Sequence, residues 1–161
     1  MELYIESSVF NFMFAEDAPE KQKITKEFFS NKLTNFDVYV SELVFNELNK
    51  TKEPKRSALL SLITNFRSKT LQTDNKAADL AEIYVKEKII PEKFINDALH
   101  IAIATVNGID IVVSWNMEHI VKVKTIVEVN KINLKKGYKQ IFIVTPEEIW
   151  ESPKQWKNCT R

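Results

Sequence analysis

An almost unbroken apolar run at residues 109–114 is the feature of this sequence that most limits its fold. Such runs are typical of a central strand in a parallel sheet, because helices cover both faces of that strand. Shorter apolar or alternating runs at residues 3–5, 36–40 and 140–145 also predict strands. The stretches between them have helical periodicity, so the sequence predicts an α/β fold in three layers, with a central parallel sheet flanked by helices.

The segments between the predicted strands carry helix signals. Ser7 and Ser8 are suited to cap a first helix, and Ser41 is suited to cap the helix after the second strand. The residue before Pro91 is disfavoured in a helix, which predicts a helix end there. The predicted helices cover residues 7–14, a segment from residue 19, 41–48, a segment from residue 54, 75–89, 92–106 and 118–131, and a helical turn opens at residue 146.

Length and composition indicate one domain. The chain has 161 residues, of which 44% are hydrophobic, and this is enough for one sizeable core. We expect a single domain over residues 1–150 and a loose tail over residues 151–161. No apolar run approaches the ~20 residues that cross a bilayer, and Glu2 and Glu6 stand where a signal peptide carries positive charge. A cytoplasmic protein without membrane contact is therefore expected.

Two residue counts exclude whole classes of chemistry. The chain has one cysteine, Cys159, so it can form neither an internal disulfide nor a thiolate zinc cluster. It has two glycines, Gly108 and Gly137, so a glycine-rich loop that cradles phosphates cannot be assembled. Most nucleotide-cofactor chemistry is excluded as a result.

The charge balance limits how this chain could bind nucleic acid. Its formal net charge is +1, so binding to RNA would depend on local patches. Trp115 is a candidate for stacking on an RNA base, although an aromatic beside a strand end more often fills the core or its rim. The basic candidates, which can also be read as a solvated face, are Lys50, Lys52, Lys55 and Arg56.

Four acidic or amide side chains follow predicted strands or lie on the helices beside them: Glu6, Glu47, Asp97 and Asn116. Ligands of an open parallel sheet bind beyond the carboxyl ends of its strands, so we expect these side chains to converge. Three carboxylates in one cleft would repel each other unless a cation neutralised them. Oxygen ligands favour Mg²⁺ or Mn²⁺ over zinc. The leading hypothesis is metal-dependent phosphodiester cleavage.

Each of these residues also has a purely structural interpretation. Glu6 and Asp97 could be carboxylates that stabilise helix starts, and Asn116 could be a helix cap. Ser7 could orient a metal-bound water or only cap a helix. His100, three residues after Asp97, is more typical of a packed histidine than of a base or a ligand.

The motifs, in this order and over nearly the whole chain, resemble those of the PIN-domain ribonucleases, most closely the small stand-alone toxins of the VapC type. In that family the first and fourth positions are usually aspartates, and here they are Glu6 and Asn116. Glu47 and Asp97 match the second and third positions, and Glu118 fits a further acidic residue that often follows. The segments that carry the resemblance are residues 4–8, 41–48, 97–102 and 113–116.

The resemblance implies a PIN-like domain over residues 1–150 with the activity of an Mg²⁺- or Mn²⁺-dependent endoribonuclease. It implies that hydrolysis of RNA leaves a 5′-phosphate and a 3′-hydroxyl, that a cognate antitoxin inhibits the protein, and that the protein is a homodimer. The implied catalytic residues are Glu6, Glu47, Asp97 and Asn116. The first three are the implied metal ligands, Asn116 and Glu118 are further candidates, and Ser7 supports them.

Two other functions stay open. One is a degenerate PIN fold that binds RNA or a protein partner without cleavage, and the amide at Asn116 is the feature that separates it from the nuclease. The other, weaker alternative is a DNA-cleaving relative, since PIN folds resemble flap nucleases at their metal site.

Overall fold

One parallel sheet forms the centre of the molecule. The computed structural model describes residues 1–149, so the tail expected at residues 151–161 lies outside the described residues. The strands are β1 (Glu2–Ile5), β2 (Asp37–Ser41), β3 (Lys69–Leu71), β4 (Ile111–Val113) and β5 (Phe142–Val144). Their order is β3-β2-β1-β4-β5, and Leu3 of β1 pairs with Val38 on one side and Ile111 on the other.

Helices cover this sheet to give the predicted three-layer α/β sandwich. The first four helices pack against one another, and α5 packs against α6. Among the described residues, no helix has the length and apolar character needed to span a membrane. The helices are α1 (Ser7–Phe12), α2 (Pro19–Glu27), α3 (Glu42–Leu48), α4 (Lys55–Asn65), α5 (Asn75–Lys86), α6 (Ile95–Val106) and α7 (Val123–Lys135).

The two central strands are buried along their length, as the apolar runs predicted. In β4, Ile111, Val112 and Val113 are all fully buried, and in β1 the same is true of Leu3 and Ile5. Burying each such aliphatic side chain contributes roughly 1.5–3 kcal/mol, so the centre of the sheet is held mainly by apolar contact with the helices on its two faces. Polar groups at the ends of these strands are thereby held in fixed positions.

Several element boundaries differ from the predicted ones. Strand β3 was not predicted, because it is an edge strand whose Lys69 and Thr70 are exposed and leave no apolar pattern. Helix α7 begins at Val123 rather than at residue 118, since turns follow β4 first. Residues 146–148 form a turn, where the sequence predicted a helical turn.

A buried polar network joins three helices on one side of the sheet. The Tyr84 hydroxyl of α5 donates to Asn133 Oδ1 of α7 at 2.5 Å, and Asn133 Nδ2 donates to Thr105 Oγ1 of α6 at 3.3 Å. Asn133 is fully buried, so its amide depends on these two partners. The network sets the position of α7 relative to α6, the helix that carries Asp97 and His100.

Candidate active site

The parallel topology brings the predicted site residues to one edge of the sheet. Glu6 follows β1 and caps α1, Glu47 lies in the last turn of α3, and Asn116 follows β4. Asp97 lies in the first turn of α6. Because α6 leads into β4, it runs back across the sheet, and its first turn lies at the carboxyl ends of the strands. These four side chains therefore share one end of the fold.

Glu6 is a buried carboxylate surrounded by hydroxyl groups. It is 4% exposed. Its Oε1 accepts from Ser7 Oγ at 2.7 Å and from the Ser8 backbone N–H at 3.0 Å. Its Oε2 accepts from Ser8 Oγ at 2.5 Å and from Ser114 Oγ at 2.7 Å. Glu6 is thus a helix cap, as the structural interpretation held, and its carboxylate is also held rigidly at the end of β1.

Glu47 faces Glu6 across one serine. Ser7 Oγ contacts Glu47 Oε2 as well as Glu6, so a single hydroxyl hydrogen lies between two carboxylates. Glu47 also accepts from His100 Nε2 at 2.9 Å and from Asn96 Nδ2 at 3.1 Å. Burial raises the pKa of Glu47, but the hydrogen bonds and charge of His100, with those from Ser7 and Asn96, outweigh it and lower the pKa to about 2.

His100 is fully buried and is held at both ring nitrogens. Its Nε2 lies 2.9 Å from Glu47 and 3.9 Å from Glu6. Its Nδ1 lies 2.7 Å from the Tyr4 hydroxyl, which in turn lies 2.7 Å from Ser41 Oγ. Burial lowers the pKa of His100, yet the three surrounding carboxylates leave it raised overall. His100 is a packed histidine, as predicted, and it also contacts the carboxylates.

The donor set of this cluster fits a divalent metal ion. Among residues 1–149, Glu6, Glu47 and His100 each offer one ligand atom, and these atoms all lie within 4.8 Å of one another. Carboxylate oxygen and imidazole nitrogen are ordinary metal ligands. Among the described residues, Glu6 and Glu47 form salt bridges with His100 and with no lysine or arginine. An excess of negative charge therefore remains for a cation to neutralise.

Asp97 and Asn116 form a second pair beside this cluster. Burial raises the pKa of Asp97, and a hydrogen bond from the Asn116 side chain partly offsets that rise, while the Glu6 charge adds to it. Asn116 Oδ1 accepts from the His119 backbone N–H at 3.0 Å. Since the amide oxygen is used in this turn, the amide N–H₂ group is the part of Asn116 that faces Asp97. Asn116 is thus a capping residue and also a partner of Asp97.

The remaining candidates lie further from the cluster. The Glu118 side chain is 81% exposed, and the compact group of ligand atoms among the described residues does not include it. Lys50 and Lys52 are exposed in the segment after α3, Lys55 is partly exposed, and Arg56 pairs with Glu53 at 2.7 Å.

Trp115 corrects one prediction. Its indole is 7% exposed, donates from Nε1 to Thr25 Oγ1 at 2.8 Å and packs beside Phe12. Lys21 Nζ lies 5.2 Å from the centre of the same ring. The indole is therefore a core residue in this structure and is not available to stack on an RNA base.

The sequence analysis did not predict that His100 contacts the carboxylates of this site. His100 lies three residues after Asp97, a spacing that places both on one face of a helix, and this was the signal that could have linked them. Tyr4 and Ser41 offered no such signal. Tyr4 is an apolar-run residue of β1 and Ser41 is a helix cap. Only the packing of β1 between its neighbours brings the Tyr4 hydroxyl to His100 and the Ser41 hydroxyl to Tyr4.

Comparisons with known proteins agree with this architecture. No family model matches the sequence, and no curated protein shows significant similarity to it. Among solved structures, a chain of VapBC2 from Rickettsia felis bound to a DNA fragment from its promoter superposes with a TM-score of 0.52 at 13% identity, over 90% of this chain and 98% of the other. A chain of the DNA-bound VapBC from Salmonella typhimurium gives 0.50 at 13% identity, over 91% and 98%.

These similarities define the class of fold. The present chain has a VapC-like PIN fold built on five parallel strands. At 13% identity the similarity establishes the fold, and activity has to be argued from the site residues.

Proposed function

We propose that this protein is a metal-dependent endoribonuclease that hydrolyses RNA phosphodiester bonds and acts as the toxin of a cytoplasmic toxin–antitoxin pair. The observation that carries the proposal is the pairing of Glu6 and Glu47 at the carboxyl edge of the sheet, bridged by one serine hydroxyl. Two carboxylates held so closely are favourable mainly when a cation joins them.

In this proposal, Glu6 and Glu47 hold Mg²⁺ or Mn²⁺, and Asp97 faces the same cleft. A metal ion bound there would supply a water of lowered pKa and would stabilise charge on the phosphate. The protein's own residues orient the carboxylates: Ser7 bridges them, and Ser114 fixes Glu6. Burial raises the pKa of Asp97, which makes it a stronger base than an exposed aspartate.

The surroundings of the site support an RNA substrate and a protein partner. Lys50 and Lys52 are exposed in the segment after α3, two and four residues beyond its last residue, Leu48, and can contact phosphates that extend from the cleft. The similar solved structures are VapBC complexes, which supports an antitoxin that covers this cleft. A homodimer is part of the same proposal.

A second candidate function is a PIN fold that binds RNA or a protein without cutting. One observation favours it: Asn116 donates to Asp97, and His100 contacts Glu47, so both carboxylates already have partners within the protein. A site satisfied in this way could persist without metal.

The deciding experiment is a cleavage assay on a panel of RNAs and on single-stranded DNA, with Mg²⁺, Mn²⁺ or a chelator. RNA cleavage should require metal and should fall at least about 10- to 100-fold in Glu47→Gln, the loss typical even of residues that only support a metal ligand. Glu42→Gln, an exposed glutamate on the same helix, is the matched control and should retain activity. Cleavage that survives both the chelator and Glu47→Gln would contradict the proposal, and RNA binding without cleavage would establish the second function.

A further inference from the structure

The buried histidine of the site has the surroundings of a metal ligand. We propose that His100 Nε2 binds the metal together with Glu6 and Glu47, so that the site takes a first-row transition metal ion such as Mn²⁺ more tightly than Mg²⁺. This inference rests on the proposed function for the presence of a metal, and it adds the nitrogen ligand and the metal preference that follows from it.

The distances around Nε2 suit this role. It lies 2.9 Å from Glu47 Oε2 and 3.9 Å from Glu6 Oε1. Ligand atoms that each lie about 2.0–2.2 Å from one ion are about 3 to 3.5 Å apart. All three ligand atoms lie within 4.8 Å of one another, so shifts of about 1 Å in the carboxylate oxygens would place them around one ion.

The other ring nitrogen has the partner that a metal-bound histidine needs. A ligating histidine almost always donates its second N–H to a fixed acceptor, which sets the tautomer and the ring orientation. His100 Nδ1 lies 2.7 Å from the Tyr4 hydroxyl, inside the core, where Tyr4 is also fully buried. Tyr4 in turn lies 2.7 Å from Ser41 Oγ, so the chain of hydrogen bonds ends on the cap of α3.

For a neutral His100 ring, these hydrogen bonds can run in either direction, and the protons balance. Without metal, Nε2–H donates to Glu47, the Tyr4 hydroxyl donates to Nδ1, and the Ser41 hydroxyl donates to Tyr4. With metal, the Nε2 lone pair binds the ion, the ring proton is on Nδ1 and donates to Tyr4, and Tyr4 donates to Ser41. Both hydroxyls can act as donor or acceptor, so each tautomer keeps its hydrogen bonds.

The nitrogen ligand decides the metal preference. Mg²⁺ prefers oxygen ligands and retains its waters, whereas imidazole suits the transition metals. A site of two carboxylates and one imidazole should therefore favour Mn²⁺, and Co²⁺ still more, over Mg²⁺.

Pulsed EPR on the Mn²⁺-loaded protein tests the ligand directly. Nitrogen modulation from a coordinated imidazole is expected in the wild type. The chain has two histidines, and His119 provides the matched control. The modulation should persist in His119→Gln and disappear in His100→Gln.

A second measurement does not depend on a substitution at the buried histidine. Tyr4→Phe removes the acceptor of Nδ1–H and should weaken Mn²⁺ binding about 10- to 100-fold by calorimetry, with a smaller change for Mg²⁺. In the wild type, nitrogen NMR of labelled histidine should show the ring proton on Nδ1 when a diamagnetic transition metal such as Zn²⁺ is bound.

The outcomes separate this inference from the nuclease proposal. Mn²⁺-dependent RNA cleavage without nitrogen modulation would overturn the histidine ligand and leave the nuclease in place. Modulation that disappears in His119→Gln would also overturn it. No binding of any divalent metal would contradict both.

Discussion

At the scale of single residues, two carboxylates of the site share one hydroxyl donor. Ser7 is buried, and its one hydroxyl lies between Glu6 and Glu47. Asn116 has a comparable role beside Asp97, to which it donates a hydrogen bond. In both places a neutral donor contacts a carboxylate.

Replacing Asn116 by aspartate tests the second of these positions. Asn116→Asp keeps an oxygen to accept from the His119 N–H but places a carboxylate against Asp97. Without metal, we expect a loss of about 1–3 kcal/mol in unfolding free energy, because a hydrogen bond to a charged group is replaced by repulsion. With Mn²⁺ the loss should shrink and metal affinity should rise. Thermal unfolding with and without Mn²⁺ measures both effects, and an unchanged metal response would place Asn116 outside the metal site.

Ser7→Ala tests the bridge between Glu6 and Glu47. The variant removes the shared donor, so the metal-free protein should lose about 1–3 kcal/mol of unfolding free energy. Mn²⁺ should restore most of that stability, because a cation satisfies both carboxylates. Ser61→Ala, at an exposed position on α4, is the control and should change little. An equal loss with and without Mn²⁺ would show that Ser7 has only a capping and packing role.

At the scale of secondary-structure elements, one aspartate ties three strands at the edge opposite the site. Asp110, just before β4, accepts from the Glu2 backbone N–H at 2.9 Å and from Lys139 Nζ at 2.5 Å. Burial raises the pKa of Asp110, but these hydrogen bonds, with the charges of Lys139 and the amino terminus, lower it overall. The sheet therefore favours the ionised form of this side chain.

This shift predicts part of the acid sensitivity of the fold. A carboxyl group whose pKa is lower in the folded state than in the unfolded state stabilises the fold at pH values above the unfolded pKa, which is 3.8 for aspartate. This stabilisation is lost as the pH falls through the pKa of the folded state. In Asp110→Asn, the unfolding free energy measured in denaturant should vary less steeply with pH below about 4. Asp17→Asn, at an exposed position, should retain the wild-type pH dependence. Identical pH profiles for Asp110→Asn and wild type would contradict the role assigned to Asp110.

At the scale of the whole molecule, the carboxyl edge of the sheet combines a rigid apolar centre with concentrated negative charge. Leu3, Tyr4 and Ile5 of β1 are fully buried, so packing fixes the backbone position of Glu6. A cation that binds only to the folded state should therefore raise the free energy of unfolding of the whole domain.

A thermal-shift series measures this coupling. At a metal concentration 100 times the Kd, the wild type should gain about 2.7 kcal/mol. For a domain of this size, each kcal/mol corresponds to roughly 2–4 °C in Tm. The double variant Glu6→Gln, Glu47→Gln should show little metal response, whereas Glu42→Gln should respond as the wild type does. Equal shifts in the double variant and the wild type would mean that metal binds elsewhere.

The local pattern of the sequence was sufficient to predict the α/β class, the parallel sheet and the edge at which Glu6, Glu47, Asp97 and Asn116 lie. The apolar periodicity of a segment indicates which of its residues are buried, and a parallel sheet places the carboxyl ends of its strands at one edge. Both features can therefore be predicted without knowledge of side-chain contacts. Strand β3 was missed because its exposed residues carry no such periodicity.

Tertiary packing alone decided which side chains meet. Tyr4, Ser41, Glu47 and His100 lie on four different elements, and their hydrogen bonds span 37 to 96 positions of sequence. Such contacts depend on how α6 packs against the sheet and on the rotamers that the core allows, and neither is encoded in local periodicity. For this reason the sequence could place an acidic edge, whereas the histidine at its centre became apparent only in the folded chain.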